Sequence, residues 1–158
     1  MQRAQFGPWE IEYDREATRA AYAAGGDSSD YYCGCQGCQN YWSNARAFPG
    51  EVRQFFDSLG IDPTKPSRLG NAIATGENEY WYSGWYHVIG RYLSEEAIRF
   101  DGYPHTLTKD FGVGLNPSLV YVPKEIPEDR AVQIEFSCSL PWLLEEPKED
   151  CYQYNEGE

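Results

Sequence analysis

In the stretch FPGEVRQFFDSLGID, the apolar positions Val52, Phe55, Phe56 and Leu59 fall at i, i+3, i+4 and i+7. That is the one-sided stripe of an amphipathic helix. Pro49 suits its first turn and Gly60 supplies its stop. A second helix is predicted from Asp14 to Ala24, where Asp14 is a good N-cap, Glu16 complements the helix dipole, and an alanine-rich body runs into Gly25-Gly26. Between the two, Gln36 to Ala47 has no breaker after Gly37 and is expected to form a shorter helix.

Beyond DPTKPSR the period changes. EYWYSGWYHVIGRYL, residues 79–93, is aromatic and β-branched, with glycines at 84 and 90 suited to a turn or bulge. A regular strand from Trp85 to Leu93 places Trp85, His87, Ile89 and Arg91 on one face. SLVYV (118–122) and AVQIEFSCSL (131–140) predict two further strands, joined by the polar, proline-punctuated PKEIPEDR. In the second, Val132, Ile134, Phe136 and Cys138 alternate with Gln133, Glu135 and Ser137, a half-buried pattern. Helices first and strands afterwards predict an α+β fold, with N-terminal helices packed on an antiparallel β-sheet formed by the C-terminal half. With no internal repeat or low-complexity linker, residues 1–144 read as a single α+β domain. Residues 145–158 read as a solvated acidic tail, poor in aliphatic side chains.

Composition narrows the function classes. The 158 residues are 41% hydrophobic and 16% aromatic, ample material for one core. The aromatic residues suit sheet surfaces or a groove, since tyrosine and tryptophan carry a polar handle. The net charge is −12, of which −7 lies from Lys124 onward. Such a balance argues against nucleic-acid binding, which draws on Lys and Arg, and favours a basic partner or plain solubility. No stretch approaches the ~20 apolar residues of a membrane span. The N-terminal Met-Gln-Arg-Ala-Gln-Phe-Gly-Pro has no apolar segment of the secretory kind, so a cytoplasmic protein is expected.

The nearest approach to a chemical motif is YYCGCQGCQNYW, residues 31–42. Cys33, Cys35 and Cys38 form C-x-C-x2-C with Gly34 and Gly37 between them. Zinc takes four tetrahedral thiolate or imidazole ligands, and short glycine-containing spacings let one loop wrap the ion. The fourth ligand would come from far along the chain. The options are His87, Cys138, Cys151 and His105. Cys138 is in phase with a core pattern, Cys151 lies in the tail, His105 sits in the turn-like GYPHTL, and His87 lies on a strand face with Trp85 and Ile89. Inert packed thiols are the competing reading. Five cysteines, three of them crowded, read poorly as a disulfide framework. Cys35 and Cys38 are a C-x-x-C pair, yet the βαβ context of a thioredoxin-like site is missing. No nucleophile elbow, Walker loop or dinucleotide fingerprint occurs, and DFGVGLNP lacks every other kinase element.

Three segments together resemble a group of uncharacterised bacterial proteins, phage-borne ones among them. These are Cys33 to Tyr41, a C-x-C-x2-C-x-N-Tyr/Phe motif; the Pro-led helix ending in Leu-Gly-Ile-Asp, Pro49 to Asp62; and Gly84 to Gly90, a Gly-x-Tyr-His-x-x-Gly segment. The opening FGPWEIEYD and the closing LPW fit the same pattern. The resemblance brings no assigned activity. It implies that Cys33, Cys35, Cys38 and His87 belong to one set, which puts His87 first as the fourth zinc ligand.

Three functions are therefore carried forward. The first is a small protein-binding module with a structural zinc knuckle. The second is an acidic inhibitor or antitoxin-like protein covering a basic surface. The third is an enzyme with a metal or thiol in an aromatic pocket.

Overall fold

The computed structural model describes residues 1–26, 34–70, 72–93, 100 and 102–145. Among the described residues, three helices lie on a mostly antiparallel sheet, so the α+β class holds. The chain order differs from the expected one, because strands begin at residue 2. β1 (Gln2–Phe6) and β2 (Trp9–Tyr13) form a hairpin in which Phe6 pairs with Trp9. Its buried Phe6, Trp9, Ile11 and Tyr13 belong to the main core. The short helical segments that follow hide this hairpin from a helices-then-strands reading.

The helices form where capping and periodicity place them. In α1 (Arg15–Ala24) the Asp14 carboxylate accepts the Ala17 N–H at 3.0 Å. α2 spans Gln36–Ala45 and α3 spans Gly50–Leu59. Val52, Phe56 and Leu59 of α3 are buried, and Gly60 closes it in the left-handed region at φ 79°. β3 (Arg68–Leu69), β4 (Ile73–Gly76), β5 (Glu79–Tyr92), β6 (His105–Thr108), β7 (Phe111–Asn116) and β8 (Ala131–Leu140) follow. The sheet order is β1-β2-β5-β8-β7-β6, with β3 and β4 also paired to β5.

SLVYV is not a strand. Residues 117–127 form an irregular segment leading to a 3-10 turn at Glu128–Arg130. Pro117 and Pro123 bracket this stretch and oppose ladder pairing. The glycines of β5 mark neither a turn nor an interruption. A Cβ on Gly84 would lie 2.2 Å from the Arg68 carbonyl oxygen, and one on Gly90 would lie 2.1 Å from that of Glu12. They let neighbouring backbone come close while a fourteen-residue strand runs through.

β5 organises the rest. On one edge it pairs with β8 from Tyr80↔Leu140 to Ile89↔Ala131. On the other it is shared: β4 and β3 take its first half, and β2 takes Gly90 to Tyr92. That leaves a gap at His87 and Ile89, which α1 fills. The Tyr22 hydroxyl donates to the His87 carbonyl at 2.8 Å and accepts the His87 N–H at 3.2 Å. The Ile89 N–H donates to Thr18 Oγ1 at 3.0 Å, and the Asp14 N–H donates to the Ile89 carbonyl at 2.9 Å.

Alternation gives the sheet two different faces. Tyr82 and Tyr86 of β5, Phe136 of β8 and Phe111 of β7 meet Tyr41, Phe48 and Phe56 from the helical layer. The two sheet edges also converge there, with His105 of β6 packed against Phe6 of β1 and Phe55 of α3. The opposite, outer face carries Trp81, Trp85, His87, Gln133, Glu135 and Ser137. A buried strand edge closed by side chains is costly to reopen. Tyr22→Phe should therefore lose about 1–3 kcal/mol in urea denaturation, and Thr18→Val a similar amount.

Candidate functional site

Cys35 is the N-cap of α2, which places Cys38 in the helix's first turn. Gly34, at φ 86°, gives the chain its left-handed approach to the helix. Cys35 is disulfide-bonded. Cys38 and Cys138 are buried free thiols. Burial, with a contribution from Asp110, pushes the Cys138 thiol well up. Both free thiols lie near Tyr82, whose hydroxyl is raised first by burial and further by their proximity. Cys33 and Cys151 lie outside the described residues.

The rest of the motif holds the fold together. Fully buried Asn40 donates to the Tyr82 hydroxyl and to the Pro141 carbonyl, each at 3.1 Å, and accepts the Leu143 N–H at 2.7 Å. Asn44 also donates to the Pro141 carbonyl. Tyr82 donates to the Gly37 carbonyl at 2.8 Å, while the Tyr41 and Tyr86 hydroxyls share a hydrogen bond. Asn40 and Tyr41 thus tie the cysteine segment to β5 and to the Leu-Pro-Trp stretch.

His87 is on the other side of the sheet. It follows Tyr86 in β5, so its ring points away from α2 and Cys38. The ring is 0% exposed and both its nitrogens are engaged. The tautomer follows from its neighbours. The Val120 N–H donates to Gln133 Oε1 at 2.8 Å, so that oxygen is an acceptor, and His87 Nε2–H donates to it at 3.0 Å. Nδ1 is left as the acceptor for the Ser67 hydroxyl at 2.7 Å. As placed, His87 offers no lone pair to a metal. Among the described residues, no three His, Cys, Asp or Glu side chains gather closely enough to hold one.

The same network runs on to a carboxylate. Gln133 Nε2 donates to Glu135 Oε2 at 2.8 Å, and Asn116 Nδ2 donates to the same oxygen. Burial, then Glu135, raises Tyr103. Tyr92 is pushed up to about 12, mainly by burial and further by Glu135. The irregular 117–122 segment covers this chain of polar groups, held by the Val120–Gln133 bond and by Trp85 Nε1 donating to the Val120 carbonyl at 2.9 Å. Tyr121 lies parallel to Trp85, with ring centroids 6.3 Å apart and planes 12° apart. The Arg68 guanidinium stands 5.2 Å from the Tyr121 ring.

Sequence reasoning missed Ser67, Asn116, Gln133 and Glu135 as a connected set. The alternation of Gln133 and Glu135 with core residues is the available signal, but it marks a polar face without showing what covers it. No family model matches the chain, and no curated protein or solved structure matches it either. No helix among the described residues is long and apolar enough to cross a membrane.

Burial lowers the His87 pKa from 6.5 to about 4, against a smaller opposing effect of its bond to Gln133. The unfolded chain takes up this proton first, so the stability is present above pH 6.5 and is lost as pH falls toward 4. Urea denaturation should show a loss of about 3 kcal/mol over that window. His87→Gln should flatten that part of the profile.

Proposed function

We propose that the protein is a binding module that docks a protein partner on the outer sheet face, around Trp85, Val120 and Tyr121. The observation that carries this reading is the conformation of Tyr121. Its φ is 54°, in the left-handed region that costs a bulky residue about 1–2 kcal/mol. Yet the residue is 62% exposed, next to a 42% exposed Val120. Strain of this kind persists where its surroundings enforce it, and here Trp85 and Gln133 do so. A rigid aromatic side chain presented to solvent loses little entropy on binding, which is the physical basis of an interface anchor. The net charge of −12 favours a partner whose contact surface is basic, through steering of the encounter.

Tyr121→Gly tests the reading without a partner in hand. A presented anchor predicts unchanged stability or a gain of up to about 1 kcal/mol, because glycine accepts this φ without strain. A loss above about 1 kcal/mol would make Tyr121 a packing residue and sink the reading. In affinity capture, the partner should be held by the wild-type chain, weakened by salt, and lost with Tyr121→Ala. Equal retention by Tyr121→Ala would remove the platform from recognition.

A further inference from the structure

A second feature of the outer face lies toward the other end of β5, and the platform does not explain it. Four small positions sit side by side across the sheet: Ser83 pairs with Ser137, Ser137 with Gly112, and Gly112 with Thr106. Trp81 pairs with Ser139 in the adjoining row. Missing side-chain bulk opens a trough of about 230 Å3, walled by Trp81 and Tyr103 and edged by Thr106, Thr108, Ser137 and Ser139. The Trp81 indole is anchored there, its Nε1 donating to Ser137 Oγ at 2.7 Å. Tyr103 is seated over β7, where a Cβ on Gly112 would come within 3.1 Å of its own Cβ.

From this lining we infer that the trough binds one pyranose ring of a carbohydrate. Two half-buried aromatic rings offer apolar faces to the C–H face of a sugar. The four surrounding hydroxyls donate and accept, matching the ring's own hydroxyls. An aliphatic occupant would strip water from these hydroxyls without returning a hydrogen bond, at a cost in desolvation. A phosphate is disfavoured, since among the described residues the only cation lining the trough is Lys109, beside the opposing carboxylate of Asp110. The volume suits a single ring, with longer chains leaving along the open surface. This site is separate from the Tyr121 platform and does not depend on it.

The test uses the full chain with methyl β-glucopyranoside, methyl α-mannopyranoside and N-acetylglucosamine as probes. Binding is followed by saturation-transfer NMR and tryptophan fluorescence. At least one probe should bind saturably with a millimolar dissociation constant, magnetisation entering through the sugar C–H groups. Trp81→Ala should weaken that binding at least about tenfold. Ser139→Leu, which fills the trough and deletes only a hydroxyl, should do the same, and it carries the test if Trp81→Ala does not fold. Tyr121→Ala should leave sugar binding unchanged. No saturable binding of any probe, or binding that survives Ser139→Leu in folded protein, would overturn the inference.

Discussion

The fourteen-residue strand β5, buried without a break from Tyr86 to Gly90, brings backbone donors and acceptors into the interior, where each needs a partner. β8 meets the demand along one edge. No single strand meets it on the other, where β4, β3 and β2 divide the length and leave His87 and Ile89 over. Helix α1 supplies the missing bonds with a tyrosine hydroxyl, a threonine hydroxyl and the amide of its own cap residue. The helix is therefore fixed by polar backbone needs as well as by apolar contact. The N-terminal hairpin is held in turn, since β2 joins the sheet just beyond that gap.

The same economy of buried polar groups runs through the core. Tyr41, Tyr82 and Tyr86 give their rings to the hydrophobic cluster, while their hydroxyls meet one another or the carbonyls of Gly37 and Pro63. Asn40 and Asn44 fasten Pro141 against α2. A buried hydroxyl or amide contributes little net free energy when bonded and costs much when left alone. Such networks therefore narrow the packing to one arrangement. The cysteine-rich motif belongs to this framework through Asn40 and Tyr41, whatever its sulfurs do.

The two faces of β5 consequently have different roles. The inner face, with Tyr82 and Tyr86, is committed to packing. The outer face holds a polar chain from Ser67 to Glu135, buried at His87 and Gln133, under a covering segment, with aromatic residues on either side of it. A site there rests on the sheet and on a segment pinned to it through Val120, which suits recognition that depends on fixed aromatic planes.

Much of the local structure was legible in the chain alone. The stripe of Val52, Phe55, Phe56 and Leu59, the Asp14 cap and the alternation of Val132, Ile134, Phe136 and Cys138 are properties of neighbouring residues, and each appears in the structure, with Phe55 only half-buried. The α+β class follows from them. The hairpin at Gln2–Tyr13 lies outside the helices-then-strands expectation, and the β-branched and aromatic residues of SLVYV predict a strand that the flanking prolines oppose. The candidate site was less legible still. Spacing shows which residues share a face, and so it separates His87 from Tyr86. It does not show what lies across that face. Only the tertiary structure decided that His87 meets Ser67 and Gln133, and that Tyr121 stacks on Trp85. Those contacts join residues far apart in sequence: strand pairing sets His87 beside Gln133, and side-chain bonds to Val120 bring Tyr121 over Trp85.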